Sequence, residues 1–149
     1  MSVQTSYPDT PVIGFQGMLA EQFSLRQVDS GIAESAAIAL GQVVTNVGSS
    51  SDAQYEAVAN QAAATGVAIY QGSSEFASLE YAVGESFPVL SKGRYYAVAG
   101  EAIAVGDSIA QTTSDLKMSN TEEVTTSLFF GTAKSSAALD GIFIVEVSF

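Results

Sequence analysis

The chain has 149 residues, 47% of them apolar, and a formal net charge of −11 with only five basic residues. That length fits one domain, able to bury about 68–70% of its unfolded surface. Neither Cys nor His is present, which excludes disulfide frameworks, zinc fingers, thiol catalysis and Ser-His triads within one chain, and the few Lys and Arg cannot form the basic footprint that nucleic acid or an anionic membrane surface demands.

Charged residues make up 14% of the chain, against about 25% in an average globular protein. The polar remainder is Ser, Thr, Gln and Gly, a mix suited to an all-β surface or to one partly covered by other subunits. Met1 to Thr5 has no basic region and no apolar run behind it, so no signal peptide is read. No apolar run reaches the ~18 residues of a membrane-spanning helix. A soluble protein made in a cytoplasm is expected.

Residues 1–35 read as an extended N-terminal arm. Pro8 and Pro11 push their preceding residues to extended shapes. Val12, Ile13, Phe15, Met18 and Leu19 are apolar, but Gly14 and Gly17 interrupt them and prevent a stable helix. Such a segment is costly to leave in water. It packs as an edge strand on its own domain or lies across a neighbouring subunit. Phe23, Leu25 and Val28 alternate loosely, so a short strand is possible there.

Residues 36–149 read as a single β domain. Leu40 to Val47 is a strand candidate behind a Gly41 turn. Gly48 to Asp52 has loop composition, and the Ala-rich run from Asp52 to Thr65 is one short helix or an irregular loop. Gly66 to Gln71 is a strand. Next come Phe87 to Ser91 and Arg94 to Ala99, joined by Lys92-Gly93, which reads as a tight hairpin turn with a Gly bulge. Val83-Gly84-Glu85-Ser86-Phe87 and Val105-Gly106-Asp107-Ser108-Ile109 share one pattern of apolar, Gly, acid, Ser, apolar. Leu40-Gly41-Gln42-Val43 is a looser copy. Each is a Gly turn feeding a strand. Ser108 to Thr112 is a short strand, Thr113 to Glu123 a polar loop, and Thr125 to Ala133 an apolar strand with a bulge at Gly131. Asp140-Gly141 turns the chain into Ile142 to Phe149, where Phe143, Val145, Val147 and Phe149 share a face. Ile142 and Ile144 make the other face apolar too, so this strand is central. The count is six to eight short strands. The expected fold is all-β, a small antiparallel β-barrel or sandwich with an extended N-terminal arm and at most one short helix.

Chemistry-bearing constellations are sparse. Glu122-Glu123, or Glu80 with Glu85, are candidate acid/base pairs, but adjacent strand residues face opposite sides, so solvated loop acids are the better reading. Asp107, Asp115 and Asp140 lack calcium-loop spacing. No phosphate loop occurs. No metal, cofactor or catalytic residue is therefore assigned. Tyr95 and Tyr96 are either sheet packing, one in and one out, or a sugar-stacking platform. Lys92 and Arg94 put two of the five positive charges at one place, either a solvated tip or a contact to an acidic patch on a partner.

The order of these features resembles the capsid cement, or decoration, proteins of tailed bacteriophages, in particular the structural cement protein family. The resemblance rests on Pro11 to Glu21, on the Val-Leu-x-Lys-Gly-Arg stretch within Gly84 to Val98, on Glu101 to Ile109 with its Gly-Asp turn, and on the aliphatic C-terminal strand. Gly48 to Thr65 departs from it, being longer and richer in Ala and Ser. The resemblance implies a non-enzymatic virion protein on the outer surface of an icosahedral capsid. Such a protein cements major capsid protein subunits and self-associates as trimers or clusters at local symmetry axes. The residues expected to make contact, from the apolar arm and the paired positive charges, are Val12, Ile13, Phe15, Met18, Leu19, Lys92 and Arg94. The alternative function is a carbohydrate-binding or adhesion β-module on a virion or cell surface; a carboxylate hydrolase is a distant third.

Overall fold

The computed structural model describes residues 16–20, 26–47, 54–57, 64–70, 80–112, 115–121 and 129–149. Among these there is no helix. The strands are β1 (Gln27–Ala33), β2 (Ile38–Ala39), β3 (Val43–Asn46), β4 (Gln54–Ala57), β5 (Gly66–Ala68), β6 (Glu80–Tyr81), β7 (Ser86–Val98), β8 (Ser108–Gln111), β9 (Met118–Ser119), β10 (Gly131–Ala133) and β11 (Ile142–Ser148). The fold is all-β as expected, and sandwich-like rather than a clean barrel.

β7 is the spine. Its first half pairs with β1 on one side and with β5 on the other, and its second half pairs with β11. Around the first half, β1, β4, β3, β5 and β7 pair in turn and close a ring, with β1 against β4 parallel and the other pairings antiparallel. Phe87, Val89, Tyr81, Tyr55, Ile38 and Val44 fill it. The Phe87 ring stacks on Tyr81 at 5.2 Å and meets Tyr55 edge-on at 6.0 Å, geometries that favour aromatic pairs. Around the second half, β7, β11, β10, β8 and β9 follow in order, and a parallel bridge from Ala99 to Met118 brings the last strand back to the first. Tyr95, Ala97, Ile109, Met118, Phe143, Val145 and Val147 fill this second core. β11 lies between β7 and β10. Its alternation of Phe143, Val145 and Val147 inward is that of a central strand with one face in the core.

Three local expectations are corrected. Lys92-Gly93 is not a hairpin turn, because β7 runs unbroken through it for 13 residues. Gly93 instead takes φ 139° in mid-strand and pairs with Val147, two residues past Ser91, the extra residue at a register slip opposite Gln27 and Val28. The bulge lies where the strand passes from one core to the other. The short helix or irregular loop expected from Asp52 to Thr65 contains strand β4, because Gln54–Ala57 pairs with both β3 and β1. Ala content lowered the apparent β propensity there, and cross-strand pairing overrode it. The polar loop expected from Thr113 to Glu123 contains β9, a two-residue strand too short to show periodicity.

The described part of residues 1–35 joins the sheet. Gln27–Ala33, expected within the arm, is β1 and pairs along the first half of β7. Residues 16–20 add to the free edge of the second half: the Gly17 N–H donates to Tyr96 O, the Tyr96 N–H to Met18 O and the Ala20 N–H to Arg94 O, at 2.9, 2.9 and 3.1 Å. The Tyr70 N–H donates to Gly17 O at 2.9 Å, tying the segment to the end of β5 as well.

Candidate functional site

Of the residues singled out for contact, Met18 and Leu19 are half-buried in this added strand. Leu19 lies opposite Tyr95 and packs on the second core. Val12, Ile13 and Phe15 lie outside the described residues. Lys92 and Arg94 sit two apart on one strand, so both point to the same outward face. Lys92 is exposed, while Arg94 is half-buried. The Arg94 Nε lies 2.8 Å from Glu146 Oε2, and Lys134 Nζ lies 3.7 Å from Glu146 Oε1. The Arg94 hydrogen bond, helped by the Lys134 charge, holds the Glu146 carboxyl below its usual range. Arg94 is thus engaged within the sheet, and Lys92 is the more open cation of the two.

The three Gly turns share one construction. In each, a residue three before donates its N–H to a side-chain oxygen and accepts a backbone N–H from the same residue. Ala39 N–H meets Gln42 Oε1, Ala82 N–H meets Glu85 Oε2 and Ala104 N–H meets Asp107 Oδ2, at 2.9, 2.8 and 2.9 Å. The backbone bonds Gln42 to Ala39, Glu85 to Ala82 and Asp107 to Ala104 close the turns. Gly41, Gly84 and Gly106 take φ 77°, 82° and 90°, the left-handed position of a type II turn, which disfavours a side chain. The carboxylates of Glu85 and Asp107 are therefore turn caps. Asp107 is held below its usual range first by the Asn120 amide and then by Ala104 N–H. Glu101 accepts from the Ser119 hydroxyl and Asn120 N–H, which lower it likewise. These acids are occupied acceptors, not poised acid/base groups. Glu122 and Glu123 lie outside the described residues. Among the described residues no group of acids has the clustering that holds a metal ion.

Tyr95 is fully buried, with its hydroxyl lacking a hydrogen-bond partner among the described residues, and burial pushes its pKa up. A stacking platform therefore cannot include it. Tyr96 is half-buried on the outward face. The exposed large apolar groups are elsewhere. Val83, Val105 and Leu139 are 56%, 66% and 62% exposed, each at the tip of a turn. Phe129 and Phe149 are also exposed, and Phe149 stacks on Phe130 at 6.2 Å. An open groove of about 310 Å³ runs beside them along β10 and β11. Sequence reasoning found the turns but not their exposed tips. Val83-Gly84-Glu85 and Val105-Gly106-Asp107 were read for their Gly, while their apolar first residues are the exposed ones; Leu139 stands before Asp140-Gly141, which was read only as a turn.

The chain resembles solved structures from phage heads. No curated protein matches the chain in sequence. Among solved structures, a chain from the capsid of Myoviridae phage XM1 superposes with TM-score 0.71 at 12% identity, covering 99% of this chain and 98% of that one. The head fiber gp8.5 N base of bacteriophage phi29 superposes with TM-score 0.54 at 17% identity, over 83% of this chain and 95% of that one. At such identities these are likenesses of fold. Family-level similarity reaches further, because residues 3–148 match one phage family nearly end to end. The chain belongs to the structural cement protein family, the family of E217 gp24 and Pam3 gp6.

Proposed function

We propose that this protein is a non-enzymatic component of a phage virion that binds the outside of the icosahedral shell and cements neighbouring major capsid protein subunits. The observation that carries the reading is the family match over residues 3–148. The chemistry of the chain supports it. Glu85 and Asp107 cap turns, Asp140 and Glu146 pair with Lys117 and Arg94, and the most exposed apolar groups, Val83, Val105 and Leu139, sit on turns. A cement acts by burying surface on two partners at once, and needs no reacting group.

The contact set combines three features. Val12, Ile13 and Phe15, apolar in sequence, supply contacts to a sister copy or the shell. Met18 and Leu19, the described residues that follow, lie along β7. Lys92, with Arg94 behind it in its ion pair, presents positive charge to an acidic patch on the partner. Copies cluster at local symmetry axes, where repeated weak contacts gain avidity. The test is co-sedimentation of the purified protein with particles lacking it. Saturation at a fixed ratio to the shell protein supports the reading. Absence of binding, or binding without saturation, contradicts it.

A further inference from the structure

The two halves of the fold repeat each other residue by residue. In the first half Val43 pairs with Val67 and Val44 with Gly66; in the second, Ser108 pairs with Thr132 and Ile109 with Gly131. A shift of ~65 residues carries every one of these positions to its counterpart. The next pairings follow suit. Val67–Leu90 and Ala68–Val89 correspond to Thr132–Glu146 and Ala133–Val145. Gly31–Phe87 corresponds to Ala97–Phe143. Asn46–Tyr55 corresponds to Gln111–Met118, and the Ile38–Tyr81 pair to the Ile103–Ala137 bridge. Even the parallel closure repeats, as Ala33–Tyr55 and Ala99–Met118.

The loops repeat too. Gly41 N–H donates to Ala68 O, and Ala68 N–H to Gln42 O; Gly106 N–H donates to Ala133 O, and Ala133 N–H to Asp107 O. Gly84 N–H donates to Ala33 O, and Ala33 N–H to Glu85 O; Asp140 N–H donates to Ala99 O, and Ala99 N–H to Gly141 O. So the turn at Asp140, which has φ 64°, is the counterpart of the turn at Gly84. The packing agrees. A Cβ on Gly66 would meet Val89 Cγ1 at 2.2 Å and one on Gly131 would meet Val145 Cγ1 at 2.8 Å, the same close approach in both halves. Matching hydrogen bonds across strands, turns and a bridge, with matching Gly, Ala and Phe positions, do not arise from general β-sheet preferences alone. They mark one five-stranded unit used twice, with β7 serving as last strand of the first copy and first strand of the second.

Each unit gathers its turns at one end. In the first copy that end lies at the start of β7, beside Ser86; in the second it lies at the finish of β7, beside Val98. Because β7 is one strand of 13 residues, the two ends face opposite ways, about 40 Å apart at ~3.3 Å per residue. Their counterpart tips are both apolar and both open, Val83 at 56% and Leu139 at 62% exposure. Single open apolar residues are common on protein surfaces, and what sets these two apart is that they stand at the same position of the repeated unit, 56 residues apart. A partner that meets both counterparts must itself repeat, as the subunits of a shell do.

We infer that the protein is a tandem duplication whose two turn ends, tipped by Val83 and Leu139, dock on equivalent sites of two neighbouring shell subunits, so that the long axis of β7 lies along the shell and bridges them. This rests on the cement reading. The counterpart of exposed Val105 is Leu40, which is buried with Gly17 against it, while Gln16 lies against the neighbouring Gly41, so this turn of the first end is already covered by the chain's own N-terminal segment. The bridge is therefore carried by the Val83 and Leu139 pair.

The experiment compares full-length Val83→Asp, Leu139→Asp, the double variant and a control, Val28→Asp, which places the same charge on the exposed face of β1 away from both ends. Circular dichroism and a thermal melt first confirm that each folds. Particle co-sedimentation then reads binding, and the temperature of genome release reads bridging. Either single variant is expected to bind about tenfold or more weakly and to leave the release temperature near that of bare particles, the double variant to lose binding, and the control to match the native chain. Native-like binding and release temperature for the folded single variants overturn the inference, as does a loss confined to one end. If the native chain itself does not bind, the cement reading fails first, and the two failures are thereby distinguished.

Discussion

Phe143→Ala tests whether the C-terminal strand is the core element that its register makes it. The ring is 1% exposed and lies among Tyr95, Ala97, Ile103 and Val145 in the second core. Truncation removes the aromatic body and leaves a cavity that strands paired on both sides cannot close, since β11 is held by β7 and β10 together. The expected loss is about 3–5 kcal/mol. For a chain of this length each kcal/mol shifts the melting temperature by about 2–4 °C, so the midpoint should fall by roughly 6–20 °C. Urea unfolding gives the loss directly, and an unchanged slope shows that the native state has not expanded. Phe149→Ala is the internal comparison. It removes the same ring from a site 42% exposed, stacked on Phe130, and should cost about 1 kcal/mol or less. Equal losses for the two variants, or a Phe143→Ala loss under ~1 kcal/mol, refute the assignment of β11 to the core.

Gly84→Ala and Gly106→Ala meet no atom within 4 Å, so their cost is backbone strain alone; roughly 1–2 kcal/mol each is expected in a thermal melt. Glu146 has its folded pKa depressed by Arg94, so its pairing contributes stability above the unfolded carboxylate pKa and loses it as pH falls through the folded one. The melting temperature of the native chain should accordingly drop more between pH 6 and pH 3 than that of Glu146→Gln, and a parallel pair of curves contradicts this. A chain beginning at residue 16 should melt close to the full chain yet hold particles less tightly. One beginning at residue 21 should melt lower, because Gly17, Met18 and Ala20 lose their bonds to β7.

Much of the β architecture was legible because it was written in short range. The Gly turns at Gly84 and Gly106 carry their acid caps next door, and β11 alternates Phe143, Val145 and Val147 in plain period two. The Lys92-Gly93 misreading has a physical source: a Gly between apolar runs signals either a turn or a mid-strand bulge, and only the pairing of both flanks with other strands decides. β4 and β9 were missed because strands of four and two residues draw their stability from neighbours distant in sequence. The candidate contact residues divide in the same way. Met18 and Leu19 were recognised as apolar and extended, but that Leu19 pairs with Tyr95 depends on a partner 76 positions away. The duplication left a trace in the likeness of Leu40-Gly41-Gln42-Val43 to its counterpart Val105-Gly106-Asp107-Ser108, whereas the closer likeness of Val83-Gly84-Glu85 to Val105-Gly106-Asp107 joins turns that are not counterparts. Its counterpart positions keep the same residue at a few sites, among them Gly66 and Gly131, Phe87 and Phe143, Val89 and Val145, and Ile38 and Ile103, so the repeat is carried mainly by hydrogen-bond register.

The most direct test of the cement assignment is the temperature at which particles release their genome, measured with and without the saturating protein. Cementing predicts a higher release temperature that rises with occupancy and reaches its plateau at the binding ratio found by co-sedimentation. A release temperature that stays unchanged while the protein is bound at that ratio contradicts it.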